Sequence, residues 1–126
     1  MNKKIVVIDD DAQFRMMMVE MLERKGYEVY AAADGEEGIQ LWESLSPDLV
    51  ITDIIMPNKE GIETILELKR KNKAVKIIAI SGGGRTNAQD NLRSAKLLGA
   101  SLTLAKPFES AELMAAVVKL IGSETT

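Results

Sequence analysis

Five short β-rich runs alternate with five longer stretches of helical period, and this alternation restricts the fold more than any single residue does. The runs cover residues 5–8, 27–32, 49–52, 76–80 and 101–104. A strand and a helix repeated five times describe a parallel sheet with helices on both faces. Runs one, three and four (Ile5-Val6-Val7-Ile8, Leu49-Val50-Ile51, Ile77-Ile78-Ala79-Ile80) are continuously apolar, as strands covered on both faces must be. Runs two (Tyr27-Glu28-Val29-Tyr30) and five (Ser101-Leu102-Thr103-Leu104) place polar residues between apolar ones, a pattern suited to sheet edges. The implied strand order is 2-1-3-4-5, a doubly wound, flavodoxin-like (βα)5 fold of the α/β class.

Start and stop signals delimit the helices. Asp34 with Glu37 and Thr86 with Gln89 have capping-box spacing, and Ser110 is placed to cap the last helix. Gly26 and Gly99 follow the first and fourth helical stretches, where a glycine can take a left-handed conformation. Phe14, Met18, Met21 and Leu22 make a stripe on the first helix, Ile62, Ile65 and Leu66 another on the third, and Met16-Met17-Met18 reads as flexible core packing. On the last helix the apolar residues span a wider arc than a single buried stripe, which leaves Met114, Val118 and Ile121 facing outward. With 126 residues there is room for one folded unit, 1–122, and a short frayed tail, 123–126.

Composition then removes whole classes of chemistry. Cysteine and histidine are both absent, which excludes disulfides, thiolate nucleophiles, Cys/His zinc sites and imidazole bases. Sixteen basic against nineteen acidic residues leave a net charge of −3, which argues against nucleic-acid or anionic-membrane binding. Only four apolar residues follow Lys3-Lys4 before acids appear, so no signal-peptide core or spanning segment is expected and the location is read as cytoplasmic. Any reaction must use carboxylates, hydroxyls, lysine or backbone.

In a doubly wound sheet, sites form outside the carboxyl ends of the strands. Here strand one ends in Asp9-Asp10-Asp11, strand three in Asp53, strand four in Ser81-Gly82-Gly83-Gly84 and strand five in Lys106-Pro107. The acids after strand one can cap the following helix. An acid directly after a buried central strand is costly unless compensated, and clustered carboxylates raise one another's pKa. A hard divalent cation such as Mg²⁺ resolves that repulsion, and a carboxylate facing phosphate across such an ion is a candidate nucleophile. Lys106 is placed to pair with Asp53 at rest and with a phosphoryl oxygen after transfer, and Ser81 can bond the same group.

These residues, together with Gly61 beyond Asp53-Ile54-Ile55-Met56-Pro57 and with Phe108 after Lys106-Pro107, resemble the receiver domain of bacterial two-component response regulators. The resemblance runs from about Lys4 to Ile121. It implies that Asp53 accepts a phosphoryl group from the phosphohistidine of a sensor histidine kinase or phosphotransfer protein, or from a small phosphodonor. The donor must be external, since this chain lacks histidine. The resemblance further implies that Asp10, Asp53 and the Ile55 carbonyl hold Mg²⁺ or Mn²⁺, with Asp9 acting through water, and that Lys106 and Ser81 bind the phosphoryl oxygens. It implies a cis bond at Lys106-Pro107. Such a protein is a switch rather than a conventional turnover enzyme, promoting its own phosphorylation and dephosphorylation. Its output surface, for a downstream protein target or a homodimer, is expected on the fourth helix, fifth strand and last helix.

Two departures from the family pattern stand out. Thr103 occupies the place of the usual switch aromatic, and the stretch from Ser81 to Gly99, with Gly82, Gly83 and Gly84 at its start, reads as one helical turn longer than usual with a mobile loop. The resemblance further implies that Ile55 and Gly83 flank the attacking water in dephosphorylation. Competing readings fare worse. An FMN site would be repelled by three acids in the first loop, and the glycine triplet lacks the G-K-[ST] of a P-loop. A haloacid-dehalogenase-like phosphatase would use Asp9 as nucleophile in place of Asp53. A degenerate receiver acting only as an interaction module is the remaining alternative.

Overall fold

The structure, a computed structural model, describes residues 2–54, 61–81, 96 and 99–122. Its elements run β1 (Lys4–Ile8), α1 (Ala12–Arg24), β2 (Glu28–Ala32), α2 (Gly35–Leu45), β3 (Leu49–Asp53), α3 (Gly61–Lys71), β4 (Ile77–Ser81), β5 (Leu102–Ala105) and α4 (Ser110–Ile121). All four strand pairings are parallel and the order is β2-β1-β3-β4-β5. The expected order is therefore the observed one, for the expected reason: β3 and β4 are buried along their whole length, whereas β2 and β5 are mostly half-buried.

Alternation along the central strands feeds two cores. Val6, Ile8, Val50 and Ile77 point toward α2 and α3, where they meet Ile39, Ile65 and Leu68. Ile5, Val7, Ile51 and Ile78 point the other way and meet Met18 and Leu22 of α1 and Leu113 and Val117 of α4. Burying each such side chain is worth about 1.5–3 kcal/mol, so the two layers hold the strand ends in fixed register.

The helix ends follow local chemistry, with some corrections. Asp34 accepts the Glu37 N–H at 2.9 Å, while the Glu37 carboxylate returns to the Ala33 N–H, one residue earlier than an ideal capping box. Gly26 and Gly99 take positive φ, 95° and 125°. The last helix is capped by Glu109 in place of Ser110, with Glu112 accepting the Glu109 N–H at 3.0 Å. On α3 the buried stripe is Gly61, Thr64, Ile65 and Leu68, and Leu66 is exposed because it lies about 100° around the helix from Ile65. On α1 only Met18 of the three consecutive methionines is core; Met16 and Met17 are 63% and 44% exposed, since one 3.6-residue turn cannot aim three neighbours at one face. On α4, Val118 faces outward as expected, but Met114 and Ile121 are partly buried against the core. The Thr86–Gln89 capping pair, the glycine triplet, Ile55, most of the fourth helical stretch and the tail 123–126 lie outside the described residues. Among the described residues, no helix is long and apolar enough to cross a membrane.

Candidate functional site

The sheet ladder continues one residue past several strands, and this sets the site. Asp9 N–H donates to Ala32 O at 3.1 Å, Ile54 N–H to Ile80 O at 2.9 Å and Lys106 N–H to Ser81 O at 2.8 Å. The residues at the ends of β1, β3, β4 and β5 are thereby fixed along one edge, as the strand-end reasoning requires.

The three acids after β1 divide their labour. Asp11 is the N-cap of α1, its Oδ1 accepting from Gln13 N–H at 3.0 Å and Phe14 N–H at 3.2 Å. Asp9 is fully buried and Asp10 is exposed. Each of these two, with Asp53 at the end of β3, offers a carboxylate oxygen, and the three oxygens lie within 4.8 Å of one another. Asp53 itself is buried, with 8% exposure.

Lys106 is the cation shared by the buried pair: its Nζ lies 3.4 Å from Asp9 Oδ2 and 3.8 Å from Asp53 Oδ2. The expected Asp53 partner is present, and Asp9 is an additional one. Burial pushes the Asp9 carboxyl above its ordinary value; the Asp11 N–H, at 2.9 Å, and Lys106 oppose that rise, and Asp10 adds to it. Among the described residues, Lys106 pairs with two of the three clustered carboxylates, Asp9 and Asp53. The donor set is all hard oxygen and anionic, so it suits a hard divalent cation.

Ser81 closes β4 with 2% exposure, opposite Ala105 of β5. Thr103, at the expected switch position, is half-buried on β5 opposite Ala79. The Lys106-Pro107 bond is cis, as the resemblance implies, and Pro107 is exposed. Gly61 N–H donates to Ile54 O at 2.5 Å, and a Cβ at Gly61 would stand 2.0 Å from Asp53 O. Only glycine lets the start of α3 come this close to the Asp53 backbone.

Two neighbours escaped the sequence reading. Arg15 Nη1 donates to Asp9 O at 2.8 Å. Phe14, read as a core residue, also presents its ring to Lys106, with Nζ 4.0 Å from the centroid, and packs edge-to-face with Phe108, 5.8 Å and 82° away. The Phe14 contacts join α1 to the chain beyond β5, and no local spacing encodes them.

The profile of the response regulator receiver domain matches residues 5–118, and the chain belongs to that family. It is 31% identical to sporulation initiation phosphotransferase F of Bacillus subtilis over 96% of this chain and 95% of that one. It is 34% identical to the chemotaxis protein CheY of Thermotoga maritima, over 95% and 98%. Against the transcriptional regulator PhoP of Bacillus subtilis the identity is 33%, and the match spans 49% of that longer protein. Among solved structures, a receiver domain protein from Clostridium thermocellum superposes with a TM-score of 0.87 at 32% identity, over 94% of each chain. The response regulator TrrA of Thermotoga maritima, in complex with Mg²⁺-BeF, superposes with 0.83 at 34%, over 94% and 99%. The function is phosphorylation-dependent two-component signalling, and the phosphatase and interaction-only readings are not favoured.

Proposed function

We propose that Asp53 is the phosphoacceptor and that Lys106 and Ser81 hold the transferred group. The observation that carries this reading is the Lys106 ammonium shared between buried Asp9 and Asp53 at the sheet edge. A carboxylate oxygen of Asp53 forms the new O–P bond as the N–P bond of the partner's phosphohistidine breaks, and the departing imidazole nitrogen is protonated. Lys106 then exchanges a carboxylate for a phosphoryl oxygen, gaining a charge-assisted hydrogen bond where charge develops. Ser81, buried at the end of β4, donates its hydroxyl to a second oxygen. Mg²⁺ or Mn²⁺ would be held by Asp10, Asp53 and the Ile55 carbonyl, with Asp9 acting through water, and supplies neutralisation of phosphoryl charge. The remaining work is positioning by the strand ends.

Gly82 and Gly83, next to Ser81 in sequence, and Thr103 and Pro107, on either side of Lys106, are the proposed switch residues. The edge formed by β5 and α4, with Val118 exposed, is the proposed surface for a downstream protein or a second copy; a sensor histidine kinase or phosphotransfer protein is the proposed donor. A cytoplasmic location accords with such a donor.

Incubation with acetyl phosphate and Mg²⁺ followed by intact mass measurement tests the reading. Wild type gains one phosphoryl group and Asp53→Asn gains none; equal adducts on both would overturn it.

A further inference from the structure

Lys106 hangs on a flexible four-carbon stem, its side chain is 22% exposed, and its carboxylate contacts of 3.4 and 3.8 Å are long for charge-assisted hydrogen bonds. The carboxylates alone leave the ammonium loosely held. The Phe14 ring supplies a third contact, its centroid 4.0 Å from Nζ. That ring is itself braced. Phe108 meets it at 82°, Asp11 accepts the Phe14 N–H, and Met18, one turn further along α1, is fully buried. A ring face attracts a cation through its quadrupole, whereas an aliphatic side chain of similar bulk excludes water without attracting charge.

We propose that Phe14 is a positioning residue for phosphoryl transfer: its braced ring face holds the Lys106 ammonium beside Asp9 and Asp53 before the phosphoryl group arrives. This rests on the reading of Lys106 as the phosphoryl-binding cation. Phe14 touches neither phosphate nor metal, and it acts by limiting the positions that the lysine samples. With Phe108 two residues beyond Lys106, the same aromatic pair ties the lysine loop to the start of α1.

The test compares Phe14→Leu, Phe14→Met and Phe14→Tyr, each alone and with Lys106→Ala, after circular dichroism confirms folding. In the metal-free protein, the ring current shifts the Lys106 ε-methylene protons upfield in wild type and Phe14→Tyr, and the shift is lost in the two aliphatic variants. Phosphoryl uptake from acetyl phosphate falls roughly three- to tenfold in Phe14→Leu and Phe14→Met and is restored in Phe14→Tyr. In the Lys106→Ala background the aliphatic variants lower uptake no further. An unshifted lysine in wild type, full uptake by both aliphatic variants, or an equal loss without Lys106 would show Phe14 to be packing only. Full uptake by Lys106→Ala alone would overturn the reading of Lys106 and this proposal with it.

Discussion

The two edges of the sheet treat charge in opposite ways. At the edge where the strands begin, Lys71 Nζ meets Glu43 Oε2 at 2.7 Å, Asp48 accepts the Lys4 N–H at 2.8 Å, and Lys76 donates to Leu120 O at 2.8 Å. At the edge where they end, Asp9, Asp10 and Asp53 crowd together and Lys106 serves two of them. A cleft of about 570 Å³, lined by Trp42, Lys71 and Ile121 among others, lies at the balanced edge. That cleft is lined by none of Asp9, Asp10, Asp53 or Lys106, so these acids are gathered away from it. Gathering acids at one edge raises the local cost of charge, the condition under which perturbed groups mark candidate sites, and it agrees with the proposed roles of Asp53 and Lys106.

The contrast breaks most sharply at Lys106. Replacing it with alanine removes the cation proposed to meet the phosphoryl oxygens, and uptake from acetyl phosphate, followed by mass spectrometry, should fall roughly 100-fold. Gly61→Ala should cost about 1–3 kcal/mol, because its Cβ would lie 2.0 Å from Asp53 O; chemical denaturation reads the loss, and Mg²⁺ protection should weaken with it.

Asp9→Asn sharpens the comparison in the other direction. The folded-state pKa of Asp9 lies above its ordinary 3.8, so its burial penalty is absent at low pH and develops as pH rises from that value through the raised one. At neutral pH the asparagine variant escapes the penalty. Its metal-free Tm should rise by roughly 3–5 °C, with the gain shrinking in acid, while the added stability that Mg²⁺ gives wild type is reduced. The smallest effect belongs to the balanced edge. Glu43→Gln removes an exposed pair, of a kind that contributes little, so Tm and phosphoryl uptake should both match wild type.

The order of the strands was legible because burial on two faces forbids polar residues, and that prohibition marks β1, β3 and β4 directly. The acids were legible because parallel strands bring their ends to one edge. Their division of labour was not, since Asp9, Asp10 and Asp11 are chemically identical and only the entry angle of α1 makes Asp11 the cap and buries Asp9. Phe14 was hidden for a related reason: it sits on the apolar stripe of α1, and its contact with Lys106 crosses from the first helix to the end of the last strand. Glu109 displaced Ser110 as cap because Glu112 reaches back to the Glu109 N–H, a pairing that an earlier start for α4 makes possible.

Chemical trapping reads directly whether Asp53 carries the phosphoryl group. Borohydride reduces an aspartyl phosphate to homoserine, and peptide mass mapping locates the changed residue. After incubation with acetyl phosphate and Mg²⁺, homoserine is predicted at position 53 alone; homoserine at position 9, or at neither, would contradict the account.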